Sequence, residues 1–260
     1  MRARLLRGVA AAALAVVVAL PGAATPAQAT NPDTIKRVGD LAFSLFLSSR
    51  SGELTEQQLV QALQEFVGAV GAAENAIMSH LDAVAAAEWV GAAEHAILEV
   101  PSLPNLSEDT LQEFALRVAL HARQAKQVFE AVESDAEADH LGFAIYALFA
   151  VGLEARVAAG IGMTTYLPSY RAAMEAIINR LEPRCTSREG DMDYHPSIYH
   201  VVHTCTTPNG PRTFQDYQVN GDWQQGPWTE ETLKAAAGAT TSWALARDTL
   251  RRLDEGGHRA

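Results

Sequence analysis

Thirteen consecutive residues without a charge, Leu141–Leu153, constrain the fold of this chain more than any other stretch. As a helix, the run LGFAIYALFAVGL would span about 20 Å, which is short of the roughly 30 Å hydrocarbon core of a bilayer. Glu154 and Arg156 follow the run and stop its extension. A helix that is apolar on every side needs neighbours on every side, so the sequence predicts a helical bundle around this segment.

The large side chains of this central helix point around its full circumference. Successive residues are rotated by about 100°, so no single side of the helix is left for solvent. The residues that we expect at the centre of the core are Phe143, Ile145, Tyr146, Leu148 and Phe149.

Helical spacing of apolar residues continues over most of residues 30–182, which we predict to form the bundle. Helix starts are marked by caps or first-turn prolines at Pro32, Thr55, Ser107, Ser134 and Pro168. No clear breaker lies between Thr55 and Val100, so the sequence predicts one long helix of about 45 residues there.

An eight-residue segment occurs almost twice, because Val70–Ile77 returns as Val90–Ile97 with one difference. Twenty residues along an unbroken helix advance five turns plus roughly 200°, so the two copies would face nearly opposite sides. A duplicated site would need one common side, and we therefore interpret the repeat as a packing surface. Gly68, Gly71 and Gly91 are expected to let neighbouring helices approach closely.

The composition changes after Pro183, and residues 183–260 predict a small α+β region. β-Branched and aromatic residues, with Asn-Gly turns, indicate a two- or three-stranded antiparallel sheet over Tyr194–Thr206 and Thr213–Val219. A last helix begins at Thr229, with acidic residues in its first turn. The chain is therefore predicted to be mainly α, with a disulfide-tied α+β region after the bundle.

The first 29 residues have the layout of a secretory signal peptide. Arg2, Arg4 and Arg7 precede an apolar run that is too short to span a membrane, and a small-residue cleavage site ends at Ala29. We therefore expect a secreted, extracellular protein that is cleaved after Ala29. Its alanine-rich and arginine-rich character is typical of a GC-rich bacterial genome.

The two cysteines of the chain, Cys185 and Cys205, both lie in the exported part. In an oxidising compartment, two thiols 20 positions apart are expected to form one disulfide, which leaves no thiol for catalysis. The bond would stabilise the part of the chain with the thinnest core by about 3 kcal/mol.

The charge of the chain limits its partners. Removing the signal leaves 17 basic against 31 acidic residues, a net charge of −14. A chain this acidic repels phosphate backbones and anionic bilayers, so nucleic acid is excluded as a partner and a membrane is not favoured. The sequence contains no phosphate loop, Gly-x-Ser-x-Gly elbow or His-Glu-x-x-His pair, and we predict no cofactor.

Two groups of residues carry metal-ligand types. His195, His200 and His203 cluster in the predicted hairpin, and imidazoles are typical zinc ligands. Residues 200 and 203 of one strand point to opposite faces, so we predict no metal there. Glu137 and His140 form half of a di-iron motif whose second half is missing, so an acid that stabilises a helix start is the favoured interpretation.

The rings of the predicted hairpin are the candidate binding surface, because aromatic residues with polar tips are enriched at protein interfaces. The members of this surface are Tyr194, His195, Tyr199, His200, His203, Tyr217, Trp223 and Trp228. The alternative is that these rings pack against the last helix.

These observations favour a secreted, non-catalytic helical protein that binds a partner or a surface. One alternative is a membrane-active protein, because amphipathic helices around one apolar helix resemble the helical domain of insecticidal pore-forming toxins. A second alternative is an extracellular enzyme that uses the region of His195, His200 and His203. An enzyme is the less favoured class, since the common hydrolase motifs are missing.

Overall fold

A computed structural model describes residues 32–50, 55–82, 88–190 and 198–257 of the chain. The described fold is mostly helical, and one antiparallel sheet lies in its C-terminal part. The predicted signal peptide at residues 1–29 lies outside the described residues, as do Tyr194 and His195.

The helices and strands follow one another in the chain with these bounds. The helices are α1 (Pro32–Arg50), α2 (Glu56–Asp82), α3 (Glu88–Leu98), α4 (Glu108–Ala131), α5 (Asp135–Ala158), α6 (Tyr166–Leu181), α7 (Glu230–Gly238) and α8 (Ser242–Gly257), with a 3-10 turn at Val100–Asn105. The strands are β1 (Arg184–Glu189), β2 (Ile198–Thr207), β3 (Gly210–Val219) and β4 (Asp222–Gln225), and they lie in this order in the sheet.

The central element of the described fold is α5. Every residue of Leu141–Leu153 is buried, and α1, α2, α3, α4, α6 and α8 all pack against this helix. Its two ends are set by the serine cap at Ser134, which accepts the Glu137 N–H, and by Gly160, whose φ of 64° ends the helix in the left-handed region. Among the described residues, α5 is the one helix long and apolar enough to cross a membrane, and 89% of that stretch is buried inside the fold.

α5 makes close contacts with its neighbours at glycines, where the lack of a side chain leaves room for a tyrosine hydroxyl. A Cβ at Gly152 would lie 2.3 Å from the Tyr166 hydroxyl, which donates a 2.6 Å hydrogen bond to the Phe149 carbonyl. A Cβ at Gly39 of α1 would lie 2.0 Å from the Tyr146 hydroxyl, which donates to the Lys36 carbonyl. These glycines let two tyrosine hydroxyls reach backbone acceptors inside the core, where an unpaired hydroxyl would be costly.

The glycines that were expected to bring helices together do not do so. A Cβ added at Gly68, Gly71 or Gly91 would meet no atom within 4 Å. All three residues are exposed to solvent, because they lie on the outer sides of α2 and α3. The expectation was therefore wrong for these positions, although it applies to the glycines beside α5.

Two helices, α2 and α3, replace the single long helix that the sequence favours. The turn at Val100–Asn105 contacts α2, which requires the chain to reverse its direction between the two helices. Both copies of the repeated segment bury the same positions, namely Ala73 and Ile77 in α2 and Ala93 and Ile97 in α3. The repeat is thus a packing surface that occurs in two adjacent helices.

The C-terminal part contains the sheet and one disulfide, as predicted, but the sheet has four strands. The additional strand β1 has a polar sequence with no alternation of apolar residues, and it pairs with β2 so that Cys185 faces Cys205. These two cysteines are joined. Helix α7 packs on β1 and β2, and a short turn separates it from α8, which joins the main core through Trp243 and Leu245.

Truncating the side chain of Phe149 should test whether α5 is central to stability. The ring is fully buried and stacks on Tyr170 with centroids 4.8 Å apart, so Phe149→Ala should lower the free energy of unfolding by about 3–5 kcal/mol. Leu116→Ala is the control, because Leu116 is 56% exposed and its loss should cost less than about 0.5 kcal/mol. Urea titrations followed by circular dichroism measure both, and equal midpoints would show that α5 is peripheral.

Candidate functional site

A serine, a histidine and an aspartate lie side by side on one face of the sheet. The Oγ of Ser187 is 2.7 Å from Nδ1 of His203, and the Nε2 of the same ring is 3.1 Å from Oδ2 of Asp216. The second contact is at ion-pair distance, although its geometry is not that of a hydrogen bond. Three neighbouring strands thus each supply one of the groups that nucleophilic catalysis by serine requires.

The register of the sheet brings these three residues together. Ser187 of β1 lies directly opposite His203 of β2, while Asp216 of β3 lies opposite Val201, two residues from His203. Side chains alternate between faces with a period of two residues, so all three point to the same face. The disulfide at Cys205 is also two residues from His203, and its covalent link opposes a slip of β1 against β2.

Asp216 is held in place by the chain that follows β4. Its Oδ1 accepts the backbone N–H of Trp228 at 2.8 Å. A Cβ at Gly226 would lie 2.0 Å from the same oxygen, and Gly226 has a φ of 82°, so both the space and the backbone conformation favour glycine there. The carboxylate is therefore fixed on one oxygen, and its other oxygen is directed at His203.

The three groups differ in how far they are buried. His203 and Asp216 are 6% and 7% exposed, whereas Ser187 is open to solvent. A neutral imidazole has one donor and one acceptor nitrogen. We assign the proton to Nε2, beside the carboxylate, because Nδ1 then accepts from the Ser187 hydroxyl.

Aromatic rings flank this group at two places. Tyr199 and Trp223 form an exposed edge-to-face pair with centroids 5.8 Å apart, on the same face of the sheet as His203. Phe214 packs on Trp228 with centroids 5.1 Å apart, and a shallow pocket beside Asp216 is lined by both rings. Tyr199 and Phe214 thus place apolar surface on the face of the sheet that carries Ser187 and His203.

The aromatic surface proposed from the sequence is divided between two faces of the sheet. His200 contacts Tyr217 on the face opposite His203, and a Cβ at Gly190 would lie 2.1 Å from the His200 ring. Tyr199, His203 and Trp223 lie on the other face. The described residues include no group of three or more His, Cys, Asp and Glu side chains that could hold a metal ion.

The second cluster of titratable groups lies in the helical core. His80 of α2 and His140 of α5 face each other with their Nδ1 atoms 2.7 Å apart, and the His80 ring stacks on Phe143. Burial, together with the charge of a protonated His140, lowers the pKa of His80 to about 4. The pair is therefore neutral at pH 7, and one of its rings donates to the other.

Two carboxyl groups of α5 are also buried. Burial raises the pKa of Glu154 well above its usual value, and neither of its oxygens has a hydrogen-bond partner among the described residues. Burial raises the pKa of Asp139 to about 6, although the N–H and O–H of Ser242 both donate to it. Asp139 and Glu154 lie inside the packed core, 4% and 0% exposed, where a charge is costly, so their titration influences stability and its pH dependence.

No protein family matches the chain, and neither a curated protein nor a solved structure matches it. The function is therefore inferred from the geometry of the residues themselves.

The pH dependence of stability should report the His80 pair. The pKa of His80 is lower in the folded state than the ordinary 6.5, so the unfolded chain takes up a proton first as the pH falls. The contribution of neutral His80 to folding stability is therefore complete above pH 6.5 and is lost as the pH falls towards 4. When the pH is lowered from 7 to 4.5, the unfolding free energy of His80→Gln should fall by about 2 kcal/mol less than that of the wild type. His95→Gln changes an exposed histidine and is the control. If both variants follow the wild-type curve, His80 is not protected from protonation.

Proposed function

We propose that this protein is a serine-type acyl hydrolase in which Ser187 is the nucleophile, His203 the general base and Asp216 the carboxylate that orients the imidazole. The observation that carries the proposal is the 2.7 Å contact between Ser187 Oγ and His203 Nδ1, with Asp216 at the other ring nitrogen. From the sequence alone, an enzyme in the region of these histidines was only the second alternative to a non-catalytic binding protein. The geometry supports this alternative best.

The reaction proceeds in two halves that restore the starting groups. Ser187 Oγ attacks the carbonyl carbon of the substrate while its proton passes to His203 Nδ1. The bond to the leaving group then breaks, and His203 returns the proton to that group. Water, the second substrate, attacks the acyl group on Ser187 and gives a proton to His203. The ester bond to Ser187 breaks, the serine regains the proton, and a carboxylic acid leaves.

Asp216 stabilises the charged imidazole that appears halfway through each half-reaction. Its carboxylate lies 3.1 Å from Nε2 in a buried position, where the attraction between opposite charges is screened less than at the surface. The ring is used with Nδ1 towards the nucleophile, and either nitrogen can serve because the two exchange donor and acceptor roles between tautomers. The exposed position of Ser187 leaves room for a carbonyl group to approach from solvent.

We also propose that the chain is exported, with cleavage after Ala29, and that its helices form a bundle around α5. The disulfide between Cys185 and Cys205 is compatible with an extracellular location. An extracellular acyl hydrolase needs water and no cofactor. A membrane-active role, by contrast, would require α5 to leave its buried position.

A binding role for the aromatic pair is the second candidate function. Tyr199 and Trp223 are 47% and 43% exposed, and they are among the large apolar side chains that the described fold leaves open to solvent. Such rings are common anchors at binding surfaces.

Substitution of the three residues should abolish ester hydrolysis without unfolding the protein. Ser187→Ala removes an exposed hydroxyl, and we expect kcat/KM for p-nitrophenyl acetate to fall about 10³-fold or more. His203→Gln should have a similar effect, and Asp216→Asn should lower kcat/KM at least 10²-fold by changing the tautomer that faces Ser187.

Thr186→Ala is the matched control, since Thr186 is the neighbouring residue of β1 and points to the opposite face of the sheet. Thr186→Ala should hydrolyse p-nitrophenyl acetate at the wild-type rate, and its thermal midpoint should equal that of Ser187→Ala. Retention of ester hydrolysis by a folded Ser187→Ala protein would contradict the proposed nucleophile.

A further inference from the structure

The outer edge of the sheet lies at β1, the strand that carries Ser187. β1 pairs with β2 on one side, and among the described residues no strand pairs with its other side. Most of its side chains are exposed, including that of Ser187. An edge of this kind presents unpaired backbone N–H and C=O groups that can bind another extended chain.

The hydrogen bonds between β1 and β2 show which residues of β1 have outward backbone groups. The N–H of Gly190 donates to the carbonyl of His200 at 3.0 Å, so Gly190 belongs to a hydrogen-bonded pair. Such pairs alternate with non-hydrogen-bonded pairs along an antiparallel ladder. Ser187 is three residues from Gly190, so Ser187 and His203 form a non-hydrogen-bonded pair. The backbone N–H and C=O of Ser187 therefore point away from β2, towards the open edge.

The disulfide gives independent support for this alternation. Cys185 is two residues from Ser187, so the pair of Cys185 and Cys205 has the same type as the pair of Ser187 and His203. Its Cα atoms are 3.9 Å apart, which fits the closer non-hydrogen-bonded pairs of about 4.5 Å rather than the hydrogen-bonded pairs of about 5.5 Å.

We propose that the substrate of the Ser187 site is an extended polypeptide that pairs with the outer edge of β1 as an additional antiparallel strand. This inference rests on the proposed hydrolase function. The substrate residue opposite Ser187 would exchange two hydrogen bonds with it, donating its N–H to the Ser187 carbonyl and accepting the Ser187 N–H at its own carbonyl oxygen. That carbonyl is the one attacked.

The paired geometry supplies a group that the side chains alone do not. The Ser187 N–H that binds the substrate carbonyl oxygen remains in place as negative charge develops on that oxygen, so it acts as an oxyanion donor. The Ser187 side chain projects from the same residue, which sets its Oγ beside the carbonyl carbon. His203 lies on the inner side, where it receives the proton. One backbone pairing thus positions both the nucleophile and the oxyanion donor.

The charge along β1 indicates which polypeptides bind. Arg184 and Arg188 are exposed on the face opposite Ser187 and form no ion pair with described residues, in a chain whose net charge is −11. In an antiparallel pairing, the residue opposite Arg188 is the one that precedes the attacked residue, and its side chain points to the same face as Arg188. An acidic residue at that position would pair with Arg188. The substrate class is therefore an extended peptide with Asp or Glu immediately before the cleaved residue.

Cleavage of matched peptides by the full protein tests this inference. The probe is a capped peptide of alternating Thr and Val with a Glu-Ala pair at its centre, and two partners carry Lys-Ala or an N-methylated Ala instead. We expect cleavage after Ala, with kcat/KM three- to five-fold higher for the Glu peptide than for the Lys peptide, as for an exposed ion pair. N-methylation removes the donor to the Ser187 carbonyl, so cleavage should fall about 10-fold or more.

Charge reversal at Arg188 provides the protein side of the test. Arg188→Glu should invert the preference so that the Lys peptide is cleaved faster, whereas Arg117→Glu, on the distant helix α4, should leave the wild-type preference unchanged. Equal rates for all three peptides, or ester hydrolysis without peptide cleavage, would overturn the strand-pairing inference and leave the hydrolase standing. A wild-type protein that hydrolyses neither the peptides nor p-nitrophenyl acetate would overturn both.

Discussion

Burial of α5 on all sides is the constraint on which the remaining structure depends. Six of the described helices pack against it, and the contacts are close because Gly39 and Gly152 have no side chain where the hydroxyls of Tyr146 and Tyr166 lie. In the second turn of α5, Asp139 accepts both the N–H and the O–H of Ser242, the first residue of α8. These two hydrogen bonds hold the start of α8 against α5. The preceding helix, α7, is joined to α8 by a short turn and packs on the sheet. The sheet is thus linked to α5 through α7 and α8.

In the sheet, a local covalent constraint keeps the three residues of the proposed catalytic group together. The disulfide between Cys185 and Cys205 opposes slippage of β1 against β2, and a slip by one residue would move Ser187 to the other face, away from His203. The same ladder determines that the backbone groups of Ser187 point outward. A small sheet with little core of its own can therefore hold Ser187, His203 and Asp216 from three strands together, because the disulfide fixes the pairing of β1 with β2 and α7 packs on the sheet.

Much of the helical part could be predicted from the sequence, because Leu141–Leu153 permits no exposed side and the serine caps mark where helices begin. The disulfide could be predicted because the chain has two cysteines. The reversal between α2 and α3 could not, since no proline or cap interrupts the helical pattern before Val100. The group of Ser187, His203 and Asp216 was missed for a similar reason. β1 is polar throughout, and only the register between strands brings residues so far apart in the chain into contact.

The most direct test of the account is covalent labelling of Ser187 by a fluorophosphonate, which reacts with activated serines whatever their natural substrate. The purified protein would be incubated with the probe and digested, and the modified peptide would be identified by mass spectrometry. If Ser187 is the nucleophile, it should be the one phosphonylated residue, and the label should be lost in His203→Gln, which removes the proposed general base. An unmodified Ser187, under conditions in which a known serine hydrolase is fully labelled, would contradict the account.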